Sequence, residues 1–359
     1  MKNNWPHIHA PQLIVDEARV RRNIRRMVDK ASRLGKELRP HYKTHQSKTI
    51  GRWCREEGIR KITVSSVGMA EYFASDGWND ITIAFPCNIR QADRINVLAE
   101  QVELKLLADS GEVIAEINRK IKYPVEIFIE IDAGSHRTGV PYDEADKLNE
   151  LFESISSGPH QVAGIYTHCG HLYACRSSSE VKAKGLEAIQ RMEQAAQSIK
   201  GSVPRVCYGD TPSCTVLEDF GKVITDISPG NFVFYDMMQV EIGSCTRDDV
   251  AVAVVCPVVT GHPENQTFTI HGGAVHFSKD RLDDGSFGRI VSLDEKTWTD
   301  HERGSLVAIS QEHGTLHADG FETGEVVAIL PVHSCLTAEC MSKYLSTNGV
   351  YIDHYQKSR

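Results

Sequence analysis

The stretch Val125-Glu-Ile-Phe-Ile-Glu-Ile131, followed by Asp132-Ala-Gly-Ser-His-Arg-Thr-Gly139, decides how this chain folds. The first seven residues are rich in β-branched and aromatic side chains and run into a polar, Gly-containing loop, which predicts a buried strand. Residues 141–143, Pro-Tyr-Asp, then signal a helix start. Ala145, Leu148, Leu151, Phe152 and Ile155 follow on one face at 3.6-residue spacing. A second apolar run, residues 162–167, closes the unit. Strand, helix and strand in that order imply parallel strands joined by a right-handed crossover.

Outward from this unit the same alternation repeats. Residues 37–42, 62–65, 81–85, 103–108, 125–131, 162–167, 203–208 and 223–227 give eight candidate strands, each bounded by Gly, Asp, Ser or Pro. Before them, Val20, Ile24, Met27, Val28, Ala31 and Leu34 mark an amphipathic helix. Eight strand–helix units fit a (β/α)8 TIM barrel, the alternative being a doubly wound open sheet. Beyond Gly243 the helical period is lost. Residues 250–260, 267–272, 305–310 and 325–330 read as strands separated by turn clusters at 261–265 and 283–288. The expected organisation is an α/β barrel over 16–242 and a β-rich domain made of 1–15 and 243–359, with the short strand 13–15 pairing in that domain.

Composition narrows the function classes. Of 359 residues, 41% are hydrophobic and 25% charged, and 40 basic against 48 acidic side chains leave a net charge of −8. No basic arm or aromatic–basic alternation occurs, which argues against a nucleic-acid partner. The N-terminal Trp5-Pro6-His7 region lacks an apolar core for a secretory signal, and no run reaches the ~20 apolar residues of a membrane span. Ten cysteines without a C-x-x-C read as free thiols of a reducing compartment. The expectation is a cytoplasmic protein whose partners are small molecules and its own copy.

In a barrel the chemistry collects at the carboxyl ends of the strands. Lys43 follows the first strand between His41 and His45. Burial and neighbouring positive charge lower an amine's pKa, as a Schiff-base lysine requires; a surface lysine just past the strand is the other reading. The loops Gly209-Asp-Thr211-Pro-Ser213 and Gly230-Asn231 end the last two strands. Glycines and small hydroxyls there suit a phosphate, although ordinary strand-to-helix turns use the same residues. In Pro331-Val-His333-Ser-Cys335 one residue separates an imidazole from a thiol, so on an extended segment both face the same way. That soft pair suits Zn2+ with coordination positions left open; a packed Cys near an ordinary His is the alternative. His271, His276, His313 and His317 belong to the same region and could join or replace them.

Together these segments resemble a known family. Arg39-Pro-His-Tyr-Lys43-Thr-His45 looks like the pyridoxal-phosphate (PLP) lysine motif of the D-threonine aldolase/D-serine dehydratase family of alanine-racemase-like, fold type III enzymes. Gly134-Ser-His-Arg137-Thr-Gly139, Gly170-His171, Gly209-Asp-Thr-Pro-Ser213, Pro229-Gly-Asn231-Phe-Val-Phe-Tyr235-Asp236, Gln311-Glu-His313-Gly314 and Pro331-Val-His333-Ser-Cys335 follow in the family's order. The resemblance implies a PLP-bearing barrel, a β domain and a homodimer. It assigns Lys43 to the cofactor aldehyde and places Arg137 near the phenolic oxygen and His168 near the pyridine nitrogen. It sets the phosphate on Thr211, Ser213, Gly230 and Asn231, with Tyr235 close by. It gives the metal, Zn2+ or another divalent cation, to His333 and Cys335.

Dehydratase members tend to carry His-x-Cys and aldolase members His-x-Asp, and the position of His168 is often Tyr in aldolase-type members. The resemblance therefore favours dehydration of a D-3-hydroxy amino acid, D-serine or 3-hydroxy-D-aspartate, to a 2-oxo acid and ammonia. Lys43 would take the α-proton and the metal would assist loss of the β-hydroxyl. The rivals are retro-aldol cleavage with His45 as base, amino-acid racemisation, and a PLP-binding homeostasis protein. The last needs neither the β domain nor the His333/Cys335 pair.

Overall fold

The computed structural model describes residues 5 and 7–356; residues 1–4, 6 and 357–359, and with them part of the N-terminal reading, lie outside the described residues. A first short strand, β1 (Gln12–Val15), precedes the helix Glu17–Arg33. The parallel strands follow: β2 (Glu37–Leu38), β3 (Lys61–Val64), β4 (Asp80–Pro86), β5 (Glu103–Ala108), β6 (Glu126–Asp132), the two-residue β7 (Val140–Pro141) beside β6, β8 (Gln161–His168), β9 (Val206–Gly209) and β10 (Asp226–Ile227). Apart from β7 they pair in the order β2-β10-β9-β8-β6-β5-β4-β3. The remaining gap is bridged by backbone. Tyr42 N–H donates to Thr63 C=O (2.8 Å), Thr63 N–H donates to Pro40 C=O (2.9 Å), and His41 bridges Thr63 in parallel. The eight-stranded barrel is thereby closed, as expected, and the open-sheet alternative falls.

Local chemistry explains the alternation. Ser66, Ser110 and Asp210 each cap a helix that starts just after a strand, and Ser47 and Ser177 cap helices that follow longer loops, their side chains accepting the N–H of Met69, Val113, Ser213, Ile50 and Glu180 respectively. Leu148, Leu151, Phe152 and Ile155 are the buried face of Ala145–Ser156. Inside the barrel, Leu107, Phe128, Ala163, Tyr166 and Cys207 form one apolar cluster. Arg39, fully buried, pairs with Asp80 and lies 3.7 Å from Asp226, while Lys105 meets Asp80 at 3.1 Å and Glu126 at 3.0 Å. Charges this deep persist only when paired.

The remaining strands are antiparallel: β11 (Val252–His262), β12 (Thr267–His271), β13 (Gly288–Leu293), β14 (Trp298–Ile309), β15 (His313–Ala318) and β16 (Val326–Pro331). They pair as β12-β15-β14-β13-β16-β11, and β11 pairs with β12 to close a six-stranded barrel. β1 extends it antiparallel to β11, followed by β17 (Tyr344–Ser346) and β18 (Tyr351–Ile352). By contact density the chain forms two compact units: Arg26–Gly230, and Asn231–Gln356 with the segment ending at Arg25. Among the described residues no helix is long and apolar enough to cross a membrane.

Candidate active site

The parallel barrel carries a cavity of about 270 Å³ lined by His41, Lys43, Glu130, Arg137, Thr138 and His168, with Ser65, Ala84, Phe85, Pro86 and Tyr166 completing its wall. Three of the expected residues, Lys43, Arg137 and His168, therefore share one chamber. Lys43 lies just past the segment that closes the barrel, and its own N–H donates to His41 Nδ1 at 3.3 Å. Burial, then the charge of Lys43, holds His41 well below the usual imidazole range. His168 ends β8, and its Nδ1–H donates to the Gly209 carbonyl at 2.8 Å, since a carbonyl only accepts. Nε2 is then left with its lone pair. Burial, followed by Lys43 and Arg137, pushes His168 down to about 3, so the ring is neutral at working pH.

Arg137 rides on the loop after β6. Asp132 shapes that loop by accepting the N–H of Gly134 (2.9 Å) and of His136 (3.0 Å). Gly139 ends it at φ +99°, where a Cβ would lie 2.7 Å from the Asp132 nitrogen, so only glycine fits. Glu130 was not anticipated. In β6 the side chains of Glu126, Phe128, Glu130 and Asp132 alternate onto the same side, and the apolar run hid the carboxylate of that row that lines the cavity. The alternation itself was the signal that could have found it.

His45 is not brought to this cavity. It is fully buried, with its ring 4.4 Å from Tyr42 and 6.1 Å from Phe73 between centroids.

The residues expected at the phosphate are partly assembled. Gly230 N–H donates to Thr211 Oγ1 at 3.2 Å. Ser213 gives its N–H to Asp210 Oδ1 (2.6 Å) and its hydroxyl to Asp210 Oδ2, so both its donors are already engaged. Burial pushes the Asp210 carboxyl up to about 6. The Asn231 side chain is likewise committed: Nδ2 donates to Asp236 Oδ2 (2.6 Å) and Ser334 Oγ (2.9 Å), and lies 3.6 Å from Cys335 Sγ. Tyr235 is buried at φ +47°.

The His333–Cys335 segment is not extended, contrary to expectation. β16 stops at Pro331, His333 is the N-cap of the helix Ser334–Cys340, and Cys335 sits in its first turn. The strand ends there because buried Asp236 takes both the N–H (2.9 Å) and the hydroxyl (3.2 Å) of Ser334. Imidazole and sulfur still meet. Burial lowers the His333 pKa, but hydrogen bonds to Asp280 and Cys335 overcome it and push the ring up to about 11. The Nδ1–Asp280 Oδ2 distance is 3.0 Å. Asp280 thus holds the ring by Nδ1 and leaves Nε2 as the atom able to ligate a cation, an arrangement like the carboxylate–imidazole support of metal-binding histidines. One nitrogen and one sulfur donor, both half-buried, fit a soft divalent cation. Asp280 and Asp236 lie far from His333 in sequence, and no spacing rule connects them.

Of the other histidines, His271 and His276 gather with Glu312, their ligand atoms all within 4.8 Å, while His313 and His317 are exposed on β15. His276 Nδ1 accepts the Gly273 N–H at 3.2 Å, which leaves the ring proton on Nε2. A cation bound there would have to displace that proton.

Residues 15–234 match the alanine racemase N-terminal domain family. The chain belongs to the alanine-racemase-like, fold type III family of PLP enzymes. Residues 251–347 of this family member match a putative serine dehydratase domain. It is 30% identical over 393 residues to a D-serine dehydratase of Dictyostelium discoideum, covering 96% of this chain and 94% of that protein. It is also 30% identical over 369 residues to the D-threo-3-hydroxyaspartate dehydratase of Delftia sp. strain HT23, covering 96% and 95%. The solved structure of that Delftia enzyme superposes with a TM-score of 0.91 at 26% identity, covering 99% of this alanine-racemase-like chain and all of the other.

Proposed function

We propose that this chain is a PLP- and divalent-metal-dependent lyase that dehydrates a D-3-hydroxy amino acid, D-serine or 3-hydroxy-D-aspartate, to a 2-oxo acid and ammonia, working as a homodimer. The observation that carries the reading is an imidazole–thiol pair, oriented by Asp280, in a chain of this family whose barrel cavity holds a strand-end lysine. The two dehydratase relatives support it. When bound, PLP supplies an electron sink for charge at the substrate α-carbon, and a cation on His333 and Cys335 supplies Lewis acidity toward the β-hydroxyl.

The chain's own groups do the rest. Lys43 anchors the cofactor and its Nζ takes the α-proton once free. His41 and His168 stay neutral, so neither repels that amine. His168 keeps its proton on the Gly209 carbonyl and offers Nε2 as an acceptor. Arg137 brings a positive charge to the same cavity. Gly230 and Thr211 would seat the phosphate, through the Thr211 hydroxyl proton that the Gly230 contact leaves available.

A panel of D-3-hydroxy amino acids, assayed with and without added Zn2+, tests the proposal. Ammonia and a 2-oxo acid are the expected products; glycine and an aldehyde would make the chain an aldolase, and racemisation unaffected by EDTA would remove the metal from the reaction. The support role of Asp280 makes a separate prediction. Asp280→Asn should weaken Zn2+ binding ~10–100-fold in a competition titration with a chelator, and an unchanged affinity would show that the carboxylate does not orient the ligand.

A further inference from the structure

Among the residues lining the barrel cavity, Glu130 is the only carboxylate. It is 4% exposed. Its Oε1 accepts the Thr138 hydroxyl at 2.8 Å, while Oε2 is buried with no hydrogen-bond partner. A bare buried acceptor is costly, so it marks a place where a donor arrives. Of the imidazoles beside it, His168 has given its proton to Gly209, while His41, whose Nδ1 accepts from Lys43 N–H, keeps its proton on Nε2 as a neutral donor, a weaker partner for a carboxylate than a guanidinium.

Two cations line the chamber, Lys43 and Arg137. Arg137 directly precedes the residue that already ties the loop to Glu130, and its charge acts on the carboxyl against the upward push of burial. Its side chain is exposed. We infer that Glu130 is a positioning residue: its unpartnered Oε2 takes the Arg137 guanidinium when the cavity is filled, drawing that side chain out of solvent and fixing it on the cofactor. This rests on the PLP reading above. Thr138 holds one carboxylate oxygen so that the other keeps its aim, and a planar guanidinium is the donor best matched to it.

The test is a double-mutant cycle read in PLP affinity, by fluorescence titration of the full chain. Glu130→Gln keeps the Thr138 contact and the volume but removes the charge, and should weaken PLP binding about 10- to 100-fold, the worth of a charge-assisted hydrogen bond. In an Arg137→Ala background the same change should alter affinity by less than about twofold. A second readout is modification of Arg137 by phenylglyoxal, followed by mass spectrometry. PLP should slow it in the wild type and leave it unprotected in Glu130→Gln. Additive effects on affinity, or protection that persists in Glu130→Gln, would overturn the pairing. If the amide variant does not fold, Glu130→Asp keeps the charge but retracts it. It should show weaker binding and partial protection, and wild-type values in it overturn the pairing equally. A wild-type chain that takes up no PLP would remove the earlier reading and this one with it, whereas uptake without coupling removes this one alone.

Discussion

Lys43→Ala should yield a folded chain that no longer forms a borohydride-reducible linkage to PLP and turns over D-serine or 3-hydroxy-D-aspartate at least ~10⁴-fold more slowly, the upper range for loss of a positioned base alone. The side chain leaves the wall of a cavity and not the packed core, so little stability should go with it. The barrel closure also survives, because it uses the backbone of Pro40, His41 and Tyr42 and not the lysine. Circular dichroism and the pyridoxal absorbance, read on one sample, check this. A visible band that persists in Lys43→Ala and is reduced by borohydride would assign the anchor to another amine.

The second large effect is expected at Cys335. Removing the thiol leaves His333 as the one ligand of the pair, so Cys335→Ala should lose Zn2+ affinity more than ~100-fold, beyond what an outer-shell partner is worth. Dehydration should fall at least ~10²-fold with the lost Lewis acidity. PLP uptake should be unchanged, because the cavity that holds Lys43 is lined by residues of the parallel barrel. Metal content by mass spectrometry and cofactor content by absorbance separate the two losses. Wild-type zinc content in Cys335→Ala would move the cation elsewhere, with His271, His276 and Glu312 as the first place to look.

The barrel was legible because its strands are buried on both faces and read as short continuous apolar runs. β5 was read at its observed bounds, residues 103–108. The first strand was read too long because Pro40 has no N–H and the regular ladder stops at Leu38. The second domain was harder. β14 begins Trp298-Thr-Asp-His-Glu-Arg-Gly304 and is largely half-exposed there, and β15 alternates His313, Thr315 and His317 with its buried residues. β15 offers no apolar run, and β14 offers one only in its second half, Leu306-Val-Ala-Ile309, the part legible as residues 305–310.

At the site, the strand-end residues Lys43, Arg137 and His168 line one cavity. His45 does not line it, because the turn ending at Gln46 (φ +46°) buries the ring. Ser213 and Asn231 are expected at the phosphate from their strand-end position, their residue type and the family resemblance, none of which reveals that Asp210 takes the Ser213 hydroxyl and Asp236 the Asn231 side-chain amide.

The closure of the parallel barrel has a mechanical corollary. Its first strand contributes only two residues to the regular ladder, and the weld to the second strand is made by Pro40, His41 and Tyr42 on Thr63. Lys43, the amine we propose for the cofactor, is the next residue along. Prying that weld open would therefore shake the amine loose before the other seven staves part, so the protein should shed its prosthetic group early in unfolding, and a tethered cofactor should act as a clamp on the cylinder itself.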